Sequence, residues 1–233
     1  MKKSICMFPP VLLFAWLTTA SQAQMSIGLR GGANFASLSV DDVTSASFEP
    51  RTRPCFALLF NFPLSPSTSI QIEPGFSQRG AKGSSDASLT MDNQTYRVVG
   101  KSKLMLDYIE MPVLFQYKPK LGKLEGIFSL GPEVRLLTAP VKVKANIKIF
   151  VDGVLEDEMT EEASASGEEG FRKFDFGMVG GAGIACPLGT LKIFAEGRYH
   201  YGLKDLSKDN EYKVYNRGAS VHAGVLLPVG KGK

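Results

Sequence analysis

The sequence predicts an all-β fold, an eight-stranded antiparallel transmembrane β-barrel of the outer-membrane type with short periplasmic turns and long external loops. Three observations predict it. The chain starts with an export signal, its apolar residues recur at every second position over segments of ten or more residues, and the connections between those segments alternate long and short. The clearest segment is LDYIEMPVLFQYK, Leu106 to Lys118. Ile109, Met111, Val113, Phe115 and Tyr117 share one parity, against Glu110, Pro112, Leu114, Gln116 and Lys118. Successive strand side chains point to opposite faces, so this strand has one greasy and one wetter face. It is long enough to cross a bilayer at a tilt.

The export signal is read from the first residues. Lys2 and Lys3 form a basic start, Met7 to Ala20 is a largely apolar run, and Ser21-Gln22-Ala23 supplies small residues for a signal peptidase. Residues 1–23 are therefore read as a signal peptide and 24–233 as one barrel domain destined for the outer membrane. Pro9, Pro10 and the short apolar run disfavour an anchoring helix, which needs about 20 apolar residues. Cys6 precedes the apolar run, which disfavours a lipoprotein signal. Loss of Lys2 and Lys3 lowers the formal charge from +4 to +2, too little to suggest nucleic acid as a partner.

Strand one spans Met25 to Leu38, with Ile27, Leu29 and Phe35 opposing Arg30 and Asn34. A polar connection, Ser39 to Arg53, leads to strand two, Pro54 to Leu64, where Phe56, Leu58, Phe60 and Phe62 share a face. The turn PLSPSTS is rich in Pro and Ser. Strand three, Ser69 to Arg79, sets Ile70, Ile72 and Phe76 against Gln71, Glu73, Ser77 and Arg79. Gly80 to Arg97 is polar and reads as a second long loop. Strand four contains LDYIEMPVLFQYK and starts as early as Lys101. Leu104, Leu106 and Tyr108 carry the other parity, which predicts a re-phasing bulge between Tyr108 and Ile109.

A tight turn, Pro119 to Lys123, precedes strand five, Leu124 to Thr138, where Phe128, Leu130, Val134 and Leu136 oppose Glu125, Ser129, Glu133 and Arg135. The longest connection, 139–172, alternates Val and Ile with Lys and contains the hairpin signal Asp152-Gly153. It predicts an external hairpin with a lysine-bearing strand against an acidic one, and a mobile acidic tail from Glu156 to Glu169. Strand six is Lys173 to Pro187. After a two-residue turn at Gly189-Thr190, strand seven, LKIFAEGRYHYG, sets Leu191, Ile193, Ala195, Tyr199 and Tyr201 against Lys192, Glu196, Arg198 and His200. A loop, Leu203 to Tyr215, precedes strand eight, Arg217 to Val229.

A soluble eight-stranded barrel of the lipocalin type would put the apolar parity inside. The polar parity here collects Arg30, Glu73, Arg79, Glu110, Glu133, Arg135, Glu196 and Arg198, a set suited to charge pairing in a narrow lumen filled by its own side chains. Tyr117, Tyr199 and Tyr201, near strand ends, suit the membrane–water boundaries. Cys55 and Cys186 fall at opposite ends of this topology, at the external start of strand two and the periplasmic end of strand six. That separation forbids a disulfide.

The stretches LDYIEMPVLFQYK, FSLGPEV and EGRYHYGL, with a last strand ending GVLLPV and an opening IGLRGGANFASL, resemble the PorT family of outer-membrane β-barrel domains from the Bacteroidota. The resemblance covers most of the mature chain. It implies the barrel fold, and one member's link to secretion across the outer membrane makes envelope or secretion components a partner class, met through the external loops. The C-terminus, VLLPVGKGK, departs from the usual barrel ending in lacking a terminal aromatic.

Candidate chemistry is sparse. Ser220 and His222 share a strand face, but residues two apart on a strand are about 7 Å apart. A nucleophile needs its base within hydrogen-bond reach and a third orienting group. Glu110, Glu133 and Glu196 form a conceivable acid/base set, weighed against pairing with Arg30, Arg79, Arg135 and Arg198. Glu156-Asp157-Glu158 with Glu161-Glu162 lacks the ligand spacing and turn glycine of a calcium loop. No cysteine–histidine cluster has metal-ligand spacing, and the paired glycines lack a phosphate-cradling context. The expectation is a monomeric, non-enzymatic barrel without cofactor or metal, an accessory of an envelope assembly. A narrow solute channel stands as the alternative, and a membrane-embedded lipid hydrolase or a soluble binding protein behind it.

Overall fold

The computed structural model describes residues 24–40, 48–92, 94–165, 172–208 and 213–229. The signal peptide expected at 1–23 lies outside the described residues, as does 166–169 of the acidic tail. The strands are β1 (Ser26–Val40), β2 (Phe48–Ser65), β3 (Thr68–Ile72), β4 (Gly75–Arg79), β5 (Ala81–Met91), β6 (Gln94–Tyr117), β7 (Lys120–Leu121), β8 (Leu124–Leu137), β9 (Val141–Val151), β10 (Val154–Ala165), β11 (Phe174–Leu188), β12 (Leu191–Gly202) and β13 (Val214–Pro228).

Eight staves close a ring. The order is β1, β2, β3 with β4, β6, β8, β11, β12, β13 and back to β1, every pair antiparallel. The closing pair runs without interruption from Ser26↔Pro228 to Val40↔Val214, so no edge is left at the seam. The third stave is broken at Glu73-Pro74. Pro74 lacks an N–H, and the wall is kept by Leu58 N donating to Pro74 O at 3.0 Å and Glu73 N to Pro112 O at 3.1 Å. The outer face is apolar, with Leu29, Phe56, Leu58, Ile109, Phe128 and Leu130 each more than half exposed. A water-facing protein would not spend so much apolar surface; a lipid-facing wall requires it.

Three expectations change. Gly80 to Arg97 is not a loop. β5 pairs with the upper half of β6 from Lys82↔Lys103 to Met91↔Gln94, and polar Ser, Gly and Asp side chains hid the strand because neither face is buried deeply. Nor does β6 bulge at Tyr108–Ile109, since its pairing with β4 runs unbroken from Gly75↔Glu110 to Arg79↔Leu106. Leu106 and Tyr108 point inward like Glu110, and it is the lumen that changes from charged to apolar at that height. Finally, Glu156 to Ala165 is not a mobile tail but most of β10.

Above the ring, β5, the upper half of β6, β9 and β10 form an external sheet. The hairpin between β9 and β10 turns at Asp152 and Gly153, both at positive φ (49° and 84°), as a tight two-residue turn demands. Its tip is bound to β6, with Thr95 N donating to Asp152 Oδ1 at 2.8 Å. The charge register follows the alternation, with Lys144 paired to Glu162 and Lys148 to Glu158.

Inside, three layers stack along the axis. Leu59, Ile127, Ala185, Phe194 and Leu226 form an apolar layer towards the periplasmic end. A charged layer fills the middle. Leu38, Ala81, Leu106, Tyr108, Leu137, Val141 and Leu206 close the external end. Leu206 comes from the loop between β12 and β13 and is completely buried. Backbone hydrogen bonds from Leu206 N to Val214 O and from Arg172 N to Leu206 O, both 2.8 Å, hold it there.

Candidate functional site

The inward parity of the eight staves converges on the charged layer. Arg30, Glu73, Arg79, Glu110, Glu133, Arg135, Glu196 and Arg198 are all buried. Four guanidinium groups have to share that space with carboxylates, so the layer is a bonded network rather than a set of isolated pairs. Arg198 reaches Glu73 through two N–H groups at 2.6 and 2.7 Å and also Glu196 at 2.7 Å. Arg30 bonds Glu73 at 2.7 Å and Glu110 at 3.4 Å. Arg79 lies between Glu110 at 2.9 Å and Glu133 at 3.2 Å. Arg135 spans Glu133 at 3.0 Å and Asp175 at 2.5 Å. A planar guanidinium presenting five donors can hold two carboxylates at once, which a lysine cannot do with fixed geometry.

Bulk of this kind requires glycine opposite it. A Cβ on Gly181 would lie 2.7 Å from both Gly197 O and Arg198 Cγ. Gly177 stands in the same relation to Arg135, whose Nη2 would lie 2.6 Å from a Cβ there.

Asp175 was missed by the sequence reading, although it sits between Phe174 and Phe176, two outward residues, and so shows its inward parity. Ser220 and His222 touch, at 2.7 Å between Oγ and Nε2, because the side chains lean together inside the ring. Ser220 also contacts His200 Nε2 at 2.8 Å, and His200 Nδ1 meets Glu133 Oε2 at 3.0 Å. At the far end Arg30 Nη1 lies 2.8 Å from His222 Nδ1. One assignment carries every proton in one direction: Arg30 donates to His222, His222 to Ser220, Ser220 to His200, and His200 to Glu133. Both imidazoles are then neutral.

Glu133, His200 and Ser220 thus stand in the carboxylate–imidazole–hydroxyl order that activates a nucleophile. Here the hydroxyl is held on both sides by imidazoles and is 1 % exposed. Where the charged layer meets the periplasmic apolar layer, a gap among Gln71, Gln116, Lys192 and Glu196 has a volume of about 10 Å³, at or below the size that holds one water. The geometry is that of a filled interior.

Cys55 points inward with Sγ 3.6 Å from His222 Nδ1, and both Cys55 and Cys186 are free thiols. Because β2 starts at Phe48, Cys55 is at mid-wall rather than at the external start of its strand. Among the described residues, no group of three or more His, Cys, Asp or Glu side chains could hold a metal ion. The carboxylates of Glu156, Asp157, Glu158, Glu161 and Glu162 are spread along β10. Hydrogen bonds from Asn146 and Lys148 hold Glu158 below the usual carboxylate range, and one from Lys144 does the same for Glu162.

A closed ring with an apolar outer wall and a self-paired polar interior defines an outer-membrane β-barrel protein, embedded in the lipid bilayer. The chain belongs to the outer membrane protein beta-barrel domain family, whose model matches residues 20–208. No curated protein matches it by sequence. Among solved structures it is similar to the attachment invasion locus protein Ail of Yersinia pestis, with 13% identity over 88% of this chain and 99% of that one and a TM-score of 0.35. It is also similar to neisserial surface protein A, with 11% identity over 89% and 98% and a TM-score of 0.41. A third is the outer membrane protease OmpT from Escherichia coli, with 10% identity over 90% and 98% and a TM-score of 0.40.

Proposed function

We propose that this protein is a non-enzymatic, monomeric barrel that serves as a structural or accessory component of an envelope or secretion assembly and meets its protein partners through the external sheet. The observation that carries the reading is the state of that sheet. Leu89, Tyr96, Val98 and Met159 lie on one face of it by strand register, and all four are exposed. On its far side β10 has no strand neighbour among the described residues. An exposed apolar sheet face beside an open edge is costly in water and invites a covering partner.

The packed interior speaks against a solute channel, and the doubly held, buried Ser220 speaks against a hydrolase. The finer kinship with the PorT family, and an origin in the Bacteroidota, belong to the same proposal. They rest on LDYIEMPVLFQYK, FSLGPEV, EGRYHYGL and GVLLPV. The test is co-purification of the tagged protein from its native outer membrane in gentle detergent. Stoichiometric recovery of envelope or secretion proteins is expected, and its loss in a Leu89→Asp/Met159→Asp variant. Recovery of the barrel alone under cross-linking conditions overturns the reading.

A further inference from the structure

We infer that the opposite face of the external sheet is a binding surface for the phosphate groups of outer-leaflet lipid. Lys82 on β5, Lys103 on β6 and Lys144 on β9 stand directly opposite one another in a single cross-strand row. Like charges directly opposed on neighbouring strands are destabilising. Lys101 and Lys142 extend the same face, by their pairing with Asn146 and Met105. Glu162 engages Lys144, whereas Lys82, Lys101, Lys103 and Lys142 make no ion pair among the described residues. Glu49 stands opposite Lys82 at one end of the row and Glu162 opposite Lys144 at the other. The uncompensated positive charge is therefore at the centre, on Lys101 and Lys103, and an anion lying across that centre would relieve it.

The register states where that anion comes from. β6 is one unbroken 24-residue strand, and Lys101 and Lys103 share the parity of Ile109, Met111 and Phe115, which face lipid lower down. The inward neighbours agree: Ala81 and Val141 are buried in the external apolar layer, which puts the adjacent Lys82 and Lys142 on the outer side of the wall. Between the apolar band and the lysines, Gln78 donates to Asp107 Oδ1 at 3.0 Å on the same outer face, a polar step at the top of the hydrocarbon. Lys103 stands six residues above Ile109, roughly 20 Å along the strand, at the height of headgroups when the barrel is tilted. The lysine face therefore lies over the ring of lipid surrounding the barrel, and the matching chemistry is a phosphate-bearing headgroup.

The experiment uses the mature chain, folded in a neutral detergent and stripped of native lipid. Binding of dioleoyl phosphatidic acid and of dioleoyl phosphatidylcholine is measured by native mass spectrometry, with inorganic phosphate as a competitor. Preference for phosphatidic acid is expected, falling about tenfold or more in a Lys82→Gln/Lys101→Gln/Lys103→Gln/Lys142→Gln variant, since each lysine near an anionic surface is worth roughly fivefold. A Lys204→Gln/Lys213→Gln variant, with charge removed on the far side of the ring, should retain it. Heat-modifiable migration verifies that each variant folds, and Lys103→Glu serves as a second probe at the centre of the row. Equal retention of the two lipids, undiminished binding by the lysine variants, an equal loss in the far-side control, or displacement by inorganic phosphate at the lipid's own concentration would each overturn the inference.

Discussion

At the residue scale the interior is governed by one rule, that a charge removed from water must be partnered at short range. Arg198 illustrates it, because Glu73 depends on its two N–H groups. Arg198→Met should cost about 3–5 kcal/mol, the usual cost of stranding a buried partner, read as a fall in the urea midpoint of the fast-migrating folded band. Adding Glu73→Gln should recover part of the loss, because the stranded charge is gone; a double variant less stable than the single one would show that Glu73 matters for reasons other than that pair. Lys118, in the connection after β6 and outside the spanning strands, offers a second handle. Burial, then the like charge of Lys192, pushes it from an ordinary 10.5 down to about 8, with Glu125 pulling the other way. A lowered lysine favours its neutral form when folded. The cost of charging it is therefore fully present below pH 8 and fades as pH rises from about 8 towards its unfolded value. It also lines a periplasmic-end cavity of about 250 Å³. Brief acylation at pH 8.5 followed by peptide mapping should modify Lys118 ahead of the exposed Lys120 and Lys123; modification in the reverse order would contradict the lowered value. The side of the wall a residue faces can be read from parity, as Leu29 and Arg30 show by pointing opposite ways. Partners cannot be read so, because the meeting of Ser220 with His200 depends on strand stagger, which leaves no trace in either segment alone.

Elements differ in how plainly the sequence states them. Segments with one face in lipid, such as β12, alternate strictly because the two solvents differ so much. Neither face of β5 or of the upper half of β6 is buried deeply, so their selection is weaker and Gly80 to Arg97 looks like a loop. The apparent phase slip in β6 has a similar origin. Leu104, Leu106 and Tyr108 follow an apolar plug, not a bulge, and a reading that assumes a uniformly polar lumen must misplace them. The β9–β10 hairpin was legible because its turn has a chemical signature. Gly153 sits at φ 84°, where a β-branched side chain is strained. Gly153→Val should therefore destabilise the hairpin by about 1–2 kcal/mol. Amide exchange in β9 and β10 should speed up, while β11 to β13 in the ring stay protected. Uniform loss of protection throughout the ring would mean that the external sheet and the barrel unfold as one unit.

At the scale of the whole molecule, closure is set by three layers in series, and each has a different physical barrier. The charged layer is filled by guanidinium and carboxylate groups already bonded to one another. An ion entering it would have to break such bonds without water to replace them. The apolar layers on either side, one around Phe194 and one around Tyr108 and Leu206, add desolvation before the ion arrives. Barriers in series are not removed by opening one. Reconstituted in a planar bilayer, the protein should give no resolvable current steps. Leu206→Ala, which thins the external layer, should leave the bilayer silent because the two deeper layers still close the ring. Joining Leu206→Ala to Phe194→Ala and Arg198→Ala should produce the first measurable leak. Steady current from the native protein would refute closure and return the solute-channel reading to first place. Current from Leu206→Ala alone would place the whole barrier at the external mouth, making the charged layer a permeable lining rather than a seal.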